Sequence, residues 1–219
     1  MAFRCRSTLY PPHCTRLAAQ CLIPALSFRV LHTILFHLFH HPLFTGDVWI
    51  IGDSIVRRAA TMLGSGPPVH WNDRGGARYR DINQLLAELE AQCPRPAMLI
   101  VNVGTNDLGD TDFFCVRQRI ALFMKECCDK YPWTKLVWSD ILPRACYFGT
   151  INPSKLEMKR RAVNRWARSL SRRMGVSVLH HPQFRWLEFS LYRYDGVHLS
   201  HTGNMHFQSN LRDSICAPP

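Results

Sequence analysis

Residues Met98 to Asp107 read MLIVNVGTND, an apolar run that passes directly into a polar turn. A short apolar run bounded by turn residues is typical of a strand buried in a parallel sheet. The run from Val48 to Ile51 has the same form, because Gly52, Asp53 and Ser54 follow it. Polar residues therefore recur just beyond the carboxyl ends of predicted strands.

From residue 47 onward, short apolar runs alternate with longer amphipathic stretches, which predicts an α/β fold around a parallel sheet. The predicted strands are Val48–Ile51, Val69–Trp71, Met98–Val103, Leu136–Ser139 and Val176–Leu179. The predicted helices are Ile55–Leu63, Ile82–Ala91, Phe113–Tyr131, Lys155–Met174 and Thr202–Ser214. We expect one domain over residues 47–214, with an extension over 1–46 and a tail over 215–219.

The polar segments that follow these strands are expected to meet at one edge of the sheet. Parallel strands place all their carboxyl ends on the same side, and ligands bind there near the topological switch point. The segments are Gly52-Asp53-Ser54, Gly75-Gly76, Gly104-Thr105-Asn106-Asp107 and, after a loop, Asp195-Gly196-Val197-His198. Residues far apart in sequence thus converge on one cleft.

The residue types at this edge are those that nucleophilic acyl transfer requires, namely a hydroxyl, a base, a group that orients the base, and oxyanion donors. Ser54 supplies the hydroxyl, and its N–H at a helix start is free to donate. His198 supplies the base and Asp195 a carboxylate that can orient it. Asn106 and the backbone N–H of Gly76 are further donors for the oxyanion.

These four segments, in this order, resemble the motif blocks of the SGNH (GDSL-type) hydrolases over about residues 47–214. The resemblance implies a three-layer α/β/α sandwich on a five-stranded parallel, flavodoxin-like sheet. It also implies a serine esterase in which Ser54, His198 and Asp195 form the triad and Ser54, Gly76 and Asn106 the oxyanion hole. The expected substrate is a small-molecule or lipid ester, and neither a metal nor an organic cofactor is expected.

Further details resemble the SGNH-like proteins of fish that retroelements carry. They are Gly76-Ala77-Arg78-Tyr79, Leu142-Pro143-Arg144 and Tyr194-Asp195-Gly196-Val197-His198-Leu199. Arg78, Tyr79 and Arg144 follow strand ends and are candidates for lining the substrate pocket or for packing its rim. One departure from the family pattern is Ile55 after the serine, where leucine is usual, and Arg57 and Arg58 follow it.

Other polar residues near these motifs have less specific interpretations. Asp53 and Asp107 are expected to brace their loops rather than to act as acids. The rival bases are His180, His181, His201 and His206. His198 with His201 imitates a metal-binding pair, but no Cys or carboxylate completes a convincing ligand set.

The charge of the chain suggests an alternative function. The net charge is +11, which favours anionic partners without identifying one. Four arginines repeat at helical spacing on the predicted helix Lys155–Met174, namely Arg161, Arg165, Arg168 and Arg172. They are typical of a solvated face, and they are also where nucleic acid or another polyanion would dock. The alternative is therefore a weak or inactive hydrolase-fold module that binds nucleic acid or a protein.

The cysteines and the first 46 residues bear on the compartment. Nine cysteines without a CxxC pair indicate neither a disulfide framework nor a zinc ribbon, so a reducing, intracellular compartment is expected. Residues 1–46 contain no acidic residue, and their uncharged stretch Val30–Gly46 is interrupted by histidines and Pro42. That stretch is poor membrane-spanning material. An appended tail is favoured over a targeting segment or weak anchor, and no oligomer signal is evident.

Overall fold

The computed structural model describes residues 46–59, 67–147 and 152–217. Of the predicted extension 1–46, these ranges include only Gly46. They include the first predicted helix only as far as Ala59. The strands are β1 (Val48–Gly52), β2 (Val69–Asp73), β3 (Met98–Asn102), β4 (Lys135–Ser139) and β5 (Ser177–Leu179). The helices are α1 (Ser54–Ala59), α2 (Ile82–Glu90), α3 (Phe113–Lys130), α4 (Pro153–Met174) and α5 (His201–Cys216).

The five strands form one parallel sheet in the order β2-β1-β3-β4-β5. Val48 pairs with Val69 of β2 on one side and with Met98 of β3 on the other. From β1 the chain adds β2 on one side and then adds β3, β4 and β5 on the other side. The topological switch point therefore lies between β1 and β3. This is the flavodoxin-like order, so the predicted fold class is confirmed.

Helices cover both faces of the sheet and bury alternate side chains of the strands. On one face, α1 and α5 pack against a set that includes Val48, Ile50 and Met98. On the other face, α2, α3 and α4 pack against a set that includes Trp49 and Leu99. The three layers hold the carboxyl ends of β1 and β3 side by side, which is where the candidate site lies. No helix within the described ranges is both long enough and apolar enough to cross a bilayer.

Candidate active site

Ser54 is the first residue of α1 and lies just beyond the carboxyl end of β1. Asp53 caps this helix, since its Oδ1 accepts a hydrogen bond from the N–H of Ile55 at 3.0 Å. The carbonyl oxygen of Asp53 also accepts a hydrogen bond from Val56 N–H. Ser54 is partly exposed, and its hydroxyl has no hydrogen-bond partner among the described residues. The N–H of Ser54 also lacks an intrahelical partner, as the first N–H groups of a helix do.

Asp53 is a buried carboxylate that ties the β1 turn to the β3 turn. Its Oδ2 accepts a hydrogen bond from the Thr105 hydroxyl at 3.0 Å. Burial raises the pKa of Asp53, while the Ile55 N–H, the Thr105 hydroxyl and the charges of Arg144 and His198 oppose the rise. Asp53 thus has the bracing role expected from the sequence.

Asn106 lies in a 3₁₀ turn, Thr105–Asp107, that follows β3. Its Nδ2 donates to the carbonyl oxygen of Ala77 at 3.0 Å and to Asp53 Oδ2 at 3.4 Å. Its Oδ1 accepts a hydrogen bond from the guanidinium of Arg144 at 2.7 Å. The amide is thus held at both its nitrogen and its oxygen, and the contact with Asp53 is the longer and weaker of the two that Nδ2 donates.

Gly76 lies in the loop after β2 and has a φ of 73°, in the left-handed region. A Cβ at this position would meet no atom within 4 Å, so the backbone conformation rather than space favours glycine here. The next residue, Ala77, is the one whose carbonyl accepts the Asn106 amide. Gly76 is directly bonded to this residue and Gly75 is not, which favours Gly76 as the donor.

Asp195 and His198 form a tight turn with three hydrogen bonds. Asp195 Oδ1 accepts the N–H groups of Val197 and His198, each at 2.9 Å, and Oδ2 lies 2.8 Å from His198 Nδ1. Burial alone would raise the pKa of Asp195, but the hydrogen bonds from His198 and Val197 outweigh it and lower that pKa to about 2. The carboxylate is therefore ionised and accepts the Nδ1 proton, which leaves Nε2 of the neutral imidazole as an acceptor.

A series of contacts links this turn to the other motifs. The N–H of Cys146 donates to the carbonyl oxygen of Gly196 at 3.0 Å. Arg144, two residues before Cys146, holds Asn106, and Asn106 contacts Asp53 beside Ser54. The four segments are thus joined at one sheet edge. No hydrogen bond joins Ser54 Oγ to His198 Nε2 among the described residues, and such contacts are often loose before substrate binds.

The three predicted pocket residues have different positions. Tyr79 is only 6% exposed and stacks on Trp138 with ring centroids 6.0 Å apart, so it supports the β3 turn from the core. A Cβ on Gly104 would lie 2.1 Å from the Tyr79 hydroxyl, which shows how closely the turn rests on this ring. Arg78 is partly exposed and pairs with Asp110 at 2.6 Å. Arg144 alone of the three contacts a candidate oxyanion donor.

Asp107 and two of the rival histidines, His180 and His181, have other partners. Asp107 accepts the N–H of Tyr79 at 3.1 Å, and burial raises its pKa to about 6. His181 is buried between Ser139 and Asn210, and burial lowers its pKa to about 3. His180 pairs with Asp140 at 2.8 Å. Asp107 therefore braces its loop as expected, His180 is engaged with Asp140, and His181 is engaged with Ser139 and Asn210.

The arginine stripe on α4 is not a uniformly free cationic face. Arg161 pairs with the buried Glu157 at 2.8 Å, and Arg168 forms a short ion pair with the buried Asp140. Within the described ranges, Arg165 and Arg172 are exposed and have no ion-pair partner. Half of the predicted stripe is thus neutralised by carboxylates of the protein itself.

The contacts of two polar groups at the site gave no distinctive signal in the sequence, although both groups lie in the motifs. The role of Thr105 and that of Arg144 become evident only from their contacts with Asp53 and Asn106.

A cavity of about 290 Å³ lies beside the ends of β4 and β5, and its lining includes Asp140, Arg168 and His180. Among the residues that the structure describes, no group of three His, Cys, Asp or Glu side chains is arranged to hold a metal ion.

Comparison with solved structures identifies the fold. A GDSL-like lipase from Bacteroides thetaiotaomicron is 15% identical with a TM-score of 0.63, over 86% of this chain and 97% of that chain. The acetyl xylan esterase AlAXEase is 14% identical with a TM-score of 0.59, over 77% of this chain and 99% of that chain. The chain therefore has the fold of the GDSL-type (SGNH) hydrolases.

Similarity at a lower TM-score, 0.41, is found with the esterase domain of a zebrafish retrotransposon protein, 24% identical over 77% of this chain and 98% of that chain. A TM-score this low carries no argument about the fold or the function. No family model matches the sequence, and no curated protein matches it.

Proposed function

We propose that this chain is a serine esterase that hydrolyses carboxylic esters through an acyl-enzyme. Ser54 is the nucleophile, His198 the general base and Asp195 the residue that positions the base. The observation that carries the proposal is the 2.8 Å contact from Asp195 to His198 Nδ1, which leaves Nε2 as the nitrogen that can accept a proton. Support for bringing this imidazole to Ser54 comes from the contact of Cys146 with Gly196 and that of Arg144 with Asn106, which link the His198 turn to the turn after β3.

In the proposed first step, Ser54 Oγ attacks the ester carbonyl and His198 Nε2 takes the hydroxyl proton. Asp195 stabilises the resulting imidazolium, and its low pKa keeps it ionised throughout the neutral range. His198 then gives the proton to the leaving alcohol. A water molecule repeats the sequence and releases the acid from Ser54.

The tetrahedral intermediates need donors for their oxyanion, and we assign them to the N–H groups of Ser54 and Gly76 and to the Asn106 amide. Replacing Asn106 by alanine is expected to cost about 2.7–4 kcal/mol of transition-state stabilisation, the loss typical of one oxyanion donor. The measurement is kcat/KM on a fixed ester substrate. A rate equal to that of the unmodified protein would remove Asn106 from the oxyanion hole.

The substrate class that we propose is a carboxylic ester, either an O-acetyl group or a lipid ester. Support comes from the structural neighbours, which include a GDSL-like lipase and an acetyl xylan esterase. An acyl-chain panel of aryl esters, from acetyl upward, separates the two classes by the chain length with the highest kcat/KM.

The direct test of the proposal is labelling with a fluorophosphonate probe, which reacts with activated serines. We expect the purified protein to be labelled and the Ser54→Ala variant not to be. Ser209→Ala is the matched control, because Ser209 is an exposed serine of α5. No labelling of the unmodified protein, or equal labelling after Ser54→Ala, would contradict the proposal.

The base is tested separately from the nucleophile. We expect His198→Gln to reduce labelling by about 10²-fold or more, the range of general-base catalysis. His201→Gln is the matched control, because His201 is an exposed histidine three residues further along the chain. Equal effects of the two substitutions would show that His198 is not the base.

Polyanion binding is the alternative function, and the structure offers it less support than the sequence does. Arg161 and Arg168 are paired with buried carboxylates, which leaves Arg165 and Arg172 for a partner. If these two bind polynucleotide, affinity will fall with salt, and charge reversal at both will weaken it. We do not advance this function alongside the esterase.

A further inference from the structure

A thiol, an imidazole and a carboxylate lie in line at the edge of the sheet opposite to the candidate active site. Cys93 Sγ lies 3.2 Å from His70 Nδ1, and His70 Nε2 lies 3.0 Å from Asp47 Oδ2. Asp47 precedes β1, His70 is in the amino half of β2, and Cys93 follows α2. At about 3.3 Å per strand residue, β1 separates this group from Ser54 by about 20 Å.

The three residues are held by backbone hydrogen bonds rather than by flexible surface segments. The carbonyl oxygen of Asp47 accepts the N–H of Ala97 at 2.8 Å, at the start of β3. His70 pairs with Trp49 in the β1–β2 ladder. The N–H of Cys93 donates to the carbonyl oxygen of Leu89 at 2.8 Å, at the end of α2. Regular elements therefore fix the distances between the three side chains.

The hydrogen-bond directions form a relay. Because the Asp47 carboxylate can only accept a hydrogen bond, the proton shared between the two groups is on His70 Nε2. The neutral ring then has Nδ1 as an acceptor, and the thiol of Cys93 donates to it. A nucleophile that contacts a base, which a third group orients, is the arrangement that activates serine and cysteine nucleophiles. Cys93 is half-buried, and the His70 side chain is 30% exposed, so reagents can approach.

We propose that Cys93 is a base-activated thiol and the site at which this chain forms mixed disulfides with low-molecular-weight disulfides. Cys93 Sγ attacks one sulfur of the disulfide, so a new S–S bond forms while the original S–S bond breaks. The thiol proton passes to His70 Nδ1 and then to the departing thiolate, which leaves as a thiol. Asp47 stabilises the imidazolium in between. This site is independent of the esterase proposal.

The test compares cysteines within one molecule. The full-length reduced protein is treated with glutathione disulfide at pH 7, and modification of each cysteine is followed over time by peptide mass spectrometry. Cys216 is the internal reference, because it is exposed and has no imidazole contact among the described residues. We expect Cys93 to react about tenfold faster than Cys216 or more, although it is less exposed. Equal or slower reaction of Cys93 would overturn the proposal.

Variants of the relay distinguish activation from simple access. His70→Gln and Asp47→Asn are expected to slow Cys93 about tenfold or more and to leave Cys216 unchanged. His206→Gln, in α5, is the matched histidine control. The buried Cys127 reports folding in the same experiment, because it is protected only in a folded chain. If Cys93 keeps its rate in a His70→Gln protein whose Cys127 is still protected, His70 does not activate the thiol and the proposal is wrong.

Discussion

At the scale of single residues, Arg144 is the contact through which the loop after β4 reaches the candidate oxyanion hole. Its guanidinium donates to Asn106 Oδ1 at 2.7 Å, which turns the Nδ2 group of Asn106 toward Ala77 and Asp53. We expect Arg144→Met to lower kcat about tenfold with a smaller change in KM, because it affects an interaction that strengthens in the transition state.

A double-mutant cycle checks this positioning role. If Arg144 acts through Asn106, Arg144→Met adds little to the loss already caused by Asn106→Ala, and the two losses are strongly non-additive. Lysine at position 144 keeps the charge and one donor, so it is expected to recover part of kcat. Fully additive losses would show that Arg144 acts on the substrate directly.

Single residues also show where the sequence ceases to be informative about the site. The motif blocks pointed to Ser54, Asn106 and the Asp195–His198 pair because each lies just beyond a strand or in a distinctive turn. The contact from Arg144 to Asn106 spans 38 residues and depends on the path of the loop after β4. Side-chain length and charge alone do not fix such a contact, so Arg144 was only a candidate for the pocket.

At the scale of elements, helix starts are fixed by side chains that accept the first N–H groups. Asp112 Oδ1 accepts the N–H groups of Phe114 and Cys115, at 2.8 and 3.0 Å, at the start of α3. We expect Asp112→Ala to lower the free energy of unfolding by about 1 kcal/mol, the usual cost of losing such a cap. Denaturant unfolding followed by circular dichroism measures it.

The control for this cap is in the same helix. Asp129, in the last turn of α3, forms an exposed ion pair with Lys125 and has no other partner within the described ranges. Such a pair contributes about 0.3–0.5 kcal/mol, and an acidic residue near a helix carboxyl end is unfavourable, so Asp129→Ala is expected to have little effect. If the two alanine substitutions destabilise the protein equally, the cap at Asp112 does not have the assigned role.

The apolar periodicity of the sequence predicts the presence and type of each strand and helix. It predicts the residues at which they begin and end less well. β2 continues to Asp73 rather than Trp71, because Asn72 and Asp73 pair with Ile51 and Gly52 in the ladder. The start of β5 moves from Val176 to Ser177, because the N–H of Val176 bonds to Ser171 at the end of α4. Backbone hydrogen bonds decide such ends, and side-chain polarity does not report them.

Three helices also begin before their predicted starts, and α1 does so by one residue, at Ser54 rather than Ile55. α4 begins at Pro153 rather than Lys155, because the Asn152 side chain caps it and proline suits a first turn. α5 begins at His201 after its cap Ser200 and continues to Cys216, two residues past the predicted domain end at 214. In each case a capping side chain outside the apolar pattern sets the start.

At the scale of the whole molecule, two buried groups with opposite effects shape the dependence of stability on pH. Burial lowers the pKa of His181 from 6.5 to about 3. Between pH 7 and 5 this side chain is therefore protonated in the unfolded state but stays neutral in the folded state. Lowering the pH across this range therefore destabilises the fold through His181, by about 2 kcal/mol. Asp107, with its pKa raised from 3.8 to about 6, protonates in the folded state first and stabilises the fold by about 1 kcal/mol over the same range.

Because the two effects partly offset each other, single variants are expected to unmask them. Relative to the unmodified protein, His181→Gln should gain about 2 kcal/mol of unfolding free energy between pH 7 and pH 5, and Asp107→Asn should lose about 1 kcal/mol. Denaturant unfolding at both pH values measures these differences, and any pH-independent effect of a substitution cancels. Curves that stay parallel to that of the unmodified protein would show that neither group has a shifted pKa in the fold. A change of the opposite sign for His181→Gln would mean that the imidazole is charged inside the protein, where Ser139 and Asn210 contact its two nitrogens.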